Sequence, residues 1–119
     1  MYYPISDYAL IGDASATALV SKHGSIDYCC MPAIDSPTVF ATLLDGKKGG
    51  SFLLNPRQPY SSNQFYIENT AVVKTVFETI DGAAMVTDCF VMDKSGLHVI
   101  HRCVHCEYGR IPFIVQVSP

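Results

Sequence analysis

The 119 residues suffice for one domain with its own core, and 49% of them are apolar, which excludes a disordered chain. A formal net charge of -3 gives no basic footprint for nucleic acid or for an anionic membrane surface. No apolar run reaches transmembrane length, so a membrane-spanning helix is excluded as well.

In chain order, most of the sequence reads as short strands and turns. Tyr8 to Ile11 is an apolar run and a predicted strand. Thr17 to Lys22 and Ser25 to Cys30 flank His23-Gly24, which reads as a two-residue hairpin turn. Residues 37–44 are the exception. Ser36 can cap a helix, Pro37 fits the first helical position, and Asp35 suits the positive end of the helix dipole. Val39, Phe40, Leu43 and Leu44 share a helical face and Gly46 stops it, so a short helix is expected there. Lys47 to Gly50 reads as a turn, Gly50 to Leu54 as a strand, Asn55 to Asn63 as loop and Gln64 to Glu68 as a short strand.

The second half has a stronger pattern. Ala71 to Ile80 and Ala83 to Met92 flank Asp81-Gly82, a hairpin signal. A two-residue turn at that pair sets Ile80 against Ala83, and hence Phe77 against Val86, Thr75 against Asp88 and Val73 against Phe90. Val73, Phe77, Val86 and Phe90 then share one face, with Lys74 and Glu78 on the other. Asp93 to Gly96 turns the chain into a strand from Leu97 to Cys106, Gly109 breaks it, and Ile111 to Val117 is the last strand. Eight to ten strands at this spacing predict an all-β antiparallel sandwich with one short helix, forming a single domain over residues 1–119. Asp88 is out of place on the apolar face and needs partners; the expected ones are Thr75, His101 or backbone, in a structural tie.

The chain carries few chemical motifs. Cys103 and Cys106 have Cys-x-x-Cys spacing among His98, His101 and His105, but a strand turns those two cysteines to opposite faces. No second such pair exists, so neither a metal nor another cofactor is expected. The five cysteines, an odd number, and an opening Met1-Tyr2-Tyr3-Pro4 unlike a signal peptide predict free thiols in a cytoplasmic setting. The carboxylates fall mostly in turns or on polar strand faces, and no pair is set across a cleft as glycoside hydrolysis requires. Tyr2, Tyr3, Tyr60, Phe65, Tyr66 and Tyr108 could form a sugar platform, but packing is the simpler role, and Trp is absent.

Met31-Pro32-Ala33-Ile34-Asp35-Ser36-Pro37-Thr38-Val39-Phe40 resembles the Pro-Arg-Phe-Asp-Ser-Pro-Ser-Val-Phe signature of the N-terminal, trehalase-like domain of glycoside hydrolase family 15 enzymes. That family includes glucoamylases, glucodextranases and trehalases. Pro4 to Asp13, Thr17 to Cys30 and Val86-Thr87-Asp88 are similar to further blocks of the family in the same order. Tyr28 stands where the family usually has Trp, and Ala33 where it usually has Arg.

The resemblance implies a β-sandwich placed before an (α/α)6 barrel that carries the catalytic glutamates. No position here matches those residues. It further implies a non-catalytic role: packing on the barrel, in cis or as a separate chain, and stabilising it. Pro32, Asp35, Ser36, Pro37 and Phe40 are the expected contact or active-site rim. The parent reaction would be inverting hydrolysis of an α-glucosidic bond in trehalose or an α-glucan. An uncovered sandwich face would also suit homo-oligomerisation. The alternative is an independent carbohydrate- or protein-binding sandwich.

Overall fold

A computed structural model of the chain describes residues 4–12, 16–30, 38–41, 50–68, 70–92 and 98–118. A single 3-10 turn, Ile5–Asp7, leads into ten strands among these residues. They are Tyr8–Gly12 (β1), Thr17–Ser21 (β2), Ser25–Cys30 (β3), Thr38–Phe40 (β4), Ser51–Pro56 (β5), Ser61–Tyr66 (β6), Val73–Thr79 (β7), Gly82–Met92 (β8), His98–Gly109 (β9) and Phe113–Ser118 (β10). The fold is all-β, as the spacing of short strands predicts.

Two antiparallel sheets form the sandwich. The first runs β1-β2-β3-β5-β10, with β4 paired to β3; the second runs β6-β7-β8-β9. Strand β3 divides its free edge, pairing Ser25 and Ile26 with β5 and Cys29 and Cys30 with β4. Between the sheets Ala9, Ile11, Ala18, Val20, Ile26, Cys29, Phe40 and Val73 form one buried cluster, joined by Phe52, Phe90 and Ile100. Leu54, Phe77 and Val86 form a second, with Tyr60 and Phe113 against it. The Phe77 ring meets Tyr60 and Phe113 edge-on at 5.0 and 6.1 Å, a geometry that suits aromatic quadrupoles.

The helix expected over residues 37–44 is corrected where it can be seen. Thr38–Phe40 is a strand, paired with Cys30 and Cys29. The edge of β3 supplies backbone partners that outweigh the local helix signals. Pro37 and Thr42 to Leu44 lie outside the described residues.

Two registers also differ from expectation. The β7–β8 hairpin turns on Ile80 and Asp81, pairing Thr79 with Gly82, so Val73 rather than Thr75 opposes Asp88. That error is two residues in pairing and leaves the inward face unchanged: Val73, Phe77 and Val86 are all buried. In the β8–β9 pair the error is one residue. Asp88 opposes Arg102, and His101 opposes Cys89. A one-residue slip exchanges faces, so His101 is exposed and Arg102 points inward.

The β2–β3 connection is three residues long and closes at Gly24, with φ of 84°. Its N–H donates to the Ser21 carbonyl, and Ser21 Oγ accepts from the N–H groups of His23 and Ser25. A Cβ at position 24 would stand 2.2 Å from the Leu54 carbonyl oxygen. Gly24→Ala therefore combines a left-handed backbone with a clash against β5. It should lower unfolding stability by about 1–3 kcal/mol, read from the urea midpoint, whereas Ala in place of exposed Ile80 should change little.

Candidate functional site

The most organised polar site lies between the sheets and is built on Asp88 and Arg102. Strand alternation puts Asp88 on the inner face of β8 between Val86 and Phe90, and Arg102 directly opposite on β9. Their side chains are 0% and 3% exposed. Arg102 Nε donates to Asp88 Oδ1 at 2.6 Å, and Nη2 reaches Oδ2 at 3.4 Å. The rest of the guanidinium crosses to the other sheet. Nη1 donates to the Phe52 carbonyl of β5 at 2.9 Å, and Nη2 to the Gly24 carbonyl at 2.8 Å. The Gly24 carbonyl also accepts the Leu54 N–H, and the guanidinium lies 4.9 Å from the centre of the Phe52 ring. A planar five-donor group can serve this many acceptors at once; a lysine cannot. Burial raises the Asp88 carboxyl above its usual range, and the charge and hydrogen bonds of Arg102 offset only part of that rise.

A second buried carboxylate, Asp27, sits where the β2–β3 register steps between Val20↔Ile26 and Leu19↔Tyr28. It is thus the extra residue of a bulge, which re-aims its side chain. Tyr8 and Ser25 hydroxyls donate to its two oxygens, each at 2.5 Å. Thr75, also fully buried, accepts from Gln64 Nε2, which also donates to the Ser21 carbonyl of the opposite sheet. Tyr66 continues this line: its hydroxyl accepts the Leu10 N–H at 2.7 Å and lies 3.2 Å from the Leu10 carbonyl. These contacts tie β6 to β1 and β2.

Of the residues singled out from the sequence, Asp88 and Thr75 are buried as expected. Asp88 takes its hydrogen bonds from Arg102, not from Thr75 or His101. Arg102 could have been found from a register one residue longer, since it is the only cation on the strand from Leu97 to Cys106 other than its histidines. Phe40 belongs to the core, 6% exposed, with its ring 6.3 Å from that of Phe52. Pro32, Asp35, Ser36 and Pro37 lie outside the described residues.

Among the described residues no group of three or more His, Cys, Asp or Glu side chains converges as metal ligands. The five cysteines are free; Cys29 and Cys30 are buried, whereas Cys103 and Cys106 are exposed. Burial, with Cys30 adding to it, raises the Cys29 thiol to about 11. Burial also raises Cys89, and the nearby Asp88 charge adds to it. The arrangement as a whole holds two sheets together, and the two carboxylates buried among the described residues, Asp27 and Asp88, have their oxygens bound by protein donors.

Comparison with known proteins agrees with this architecture. The model of the trehalase-like N-terminal family matches residues 2–114. A trehalase of Mycobacterium tuberculosis is 30% identical over 135 residues, covering 98% of this chain and 20% of that protein. Trehalase 2 of Sulfolobus acidocaldarius is 33% identical over 113 residues, covering 95% of this chain and 18% of that protein. A trehalase of Thermoplasma volcanium is 36% identical over 114 residues, covering 94% of this chain and 16% of that protein. The chain thus spans about a fifth of the length of these relatives. No solved structure matches it significantly.

Two measurements test the site. Arg102→Met should cost about 3–5 kcal/mol at neutral pH, because it leaves a buried carboxylate without its cation. In that variant burial alone acts on Asp88, so its folded pKa lies above the unfolded value. Stability should be highest at acid pH and fall as pH rises through the folded pKa, seen in urea midpoints across pH 4 to 8. Adding Asp88→Leu should remove that pH dependence. Separately, a thiol reagent at pH 8 should label Cys103 and Cys106 quickly. Cys29, buried and about one part in a thousand thiolate, should label only on unfolding.

Proposed function

Because the chain belongs to the trehalase-like N-terminal family, we propose that it is a non-catalytic domain of a glycoside hydrolase of that family. It packs on a catalytic part of the parent protein, stabilises it and shapes the rim of its active site. The observation that carries this reading is the match over residues 2–114 to a domain that makes up about a fifth of trehalase relatives. The structure adds support through its chemistry. Among the described residues the buried carboxylates Asp88 and Asp27 are committed to Arg102 and to Tyr8 and Ser25 respectively, as a stable scaffold requires and as an acid–base pair awaiting substrate would not be.

In this reading the partner is an (α/α)6 barrel, in cis or as a separate chain, and the parent hydrolyses an α-glucosidic bond with inversion in the cytoplasm. Trehalose is the favoured substrate over an α-glucan because the relatives named above are trehalases. The segment carrying Pro32, Asp35, Ser36 and Pro37 forms the contact or rim in this reading, with Phe40, buried in the core, at its C-terminal end.

The purified 119-residue chain should release no glucose from trehalose, maltose or soluble starch and should show no saturable binding to them by calorimetry. Substituted for the matching stretch of the Mycobacterium tuberculosis trehalase, it should support trehalose hydrolysis that the truncated enzyme lacks. Glucose release by the isolated chain would overturn the reading; tight sugar binding would favour an independent carbohydrate-binding module.

A further inference from the structure

Strand alternation sends Asp88 and Arg102 into the core and turns their neighbours out. Thr87 and Cys89 on β8, and His101, Cys103 and His105 on β9, share the outer face of the second sheet. The register is unbroken here and pairs Cys89 with His101 and Thr87 with Cys103. Cys89 and Cys103 are therefore diagonal neighbours, one rung apart on the same face. Both thiols are free; Cys103 is exposed and Cys89 half-buried. Cys106 is placed differently. It lies opposite buried Ala84, on the inner side of β9, with its sulfur 3.4 Å from the Gly109 carbonyl.

Distance decides what such a pair of thiols can do. Diagonal neighbours in an antiparallel pair stand about 7–8 Å apart between Cα atoms, with Cβ atoms somewhat closer. A disulfide needs about 4.4–6.8 Å between Cα atoms and about 3.5–4.5 Å between Cβ atoms. Closing one here would drag β9 along β8. Arg102, next to Cys103, opposes that movement, because it holds β9 to Asp88 and to two carbonyls of the other sheet. A metal ion between the sulfurs makes a longer bridge. At about 2.3 Å for each metal–sulfur bond, two thiolates facing each other across one ion stand about 4.6 Å apart. That span reaches along the diagonal and leaves the strand in place. The kind of ion follows from the number of ligands. No group of three or more His, Cys, Asp or Glu converges among the described residues, so a closed four-ligand zinc site is not formed by them. A soft monovalent ion is satisfied by two thiolates in a line, and thiolate ligands select Cu(I).

We infer that Cys89 and Cys103 form a two-coordinate site for a single cuprous ion on the outer face of the second sheet. Each thiol loses its proton to solvent and each sulfur donates an electron pair to the ion, so two protons leave for each ion bound. Copper stays in the same oxidation state throughout. The loaded site ties β9 to β8 directly behind the Asp88–Arg102 pair, so metal and ion pair hold the same two strands from opposite faces.

Competition for copper tests this. The reduced chain, titrated without oxygen with Cu(I) in the presence of bicinchoninate as competing chelator, should withdraw one ion per chain. Cys89→Ser and Cys103→Ser should each weaken uptake by at least about 100-fold, since losing a ligand costs more than losing an outer-shell partner. Cys106→Ser should match the unsubstituted chain. Equal loss in all three variants, or loss in Cys103→Ser alone, overturns the inference, because either pattern marks ordinary exposed thiols. Uptake of one ion by two chains, with dimers on a sizing column, makes the site intermolecular and overturns it as well. Serine at these outward positions should leave the melting temperature of the metal-free chain unchanged. Where Cys89→Ser fails to fold, X-ray absorption at the copper edge of the loaded chain decides. Two sulfur neighbours uphold the site; one sulfur, or a shell of nitrogen alone, overturns it.

Discussion

One guanidinium holds the sandwich in register. Arg102 is buried beside Asp88, and its remaining donors end on the Gly24 and Phe52 carbonyls of the other sheet. A buried ion pair gains little net stability over an apolar replacement of the same shape, because desolvation opposes Coulomb attraction. Its stronger effect here is geometric. Slippage of β9 on β8, or of one sheet over the other, would strand a charge in the core. Gly24 is coupled to the same point, since its carbonyl is shared by Arg102 and the Leu54 N–H. The tight turn, the β3–β5 junction and the inter-sheet tie thus depend on each other.

Around that centre the polar residues divide the molecule into a closed side and an open one. Gln64 and Tyr66 of β6 reach β2 and β1, satisfying backbone groups that water or another chain would otherwise take. Nothing comparable is seen along β10 among the described residues, and its apolar inner positions are wet. The buried carboxylates serve internal order: Asp88 is bound by Arg102, and Asp27 by the Tyr8 and Ser25 hydroxyls.

The inward and outward faces of β7 and β8 were readable because alternation survives an even-numbered mistake. Placing the turn at Asp81-Gly82 rather than Ile80-Asp81 moved every partner by two and left Val73, Phe77, Val86 and Asp88 inside. The same reasoning failed at β9, where the residues linking it to β8 left the register ambiguous by one. One residue exchanges His101 for Arg102, and so a plausible polar neighbour for the ion pair that organises the core. The helix signals at Ser36 and Pro37 misled for a different reason. They are local, and the edge offered by β3 to Thr38–Phe40 is not.

By itself the sequence determined that this is a single apolar-cored chain of short antiparallel strands, that Asp88 is buried and needs a partner, and that its motifs follow the trehalase-like N-terminal pattern in order. The first two depend on composition, period and spacing, which are local, and the third is a resemblance carried by short motifs. Tertiary structure alone decided that Arg102 is the partner, that Asp27 is turned inward by a bulge, that Phe40 is core and that β10 pairs with β5 at the end of the first sheet. Each of these depends on the exact register of neighbouring strands or on what the opposite sheet brings alongside, and a one-residue slip or a contact across the sandwich leaves no trace in the spacing of a single segment.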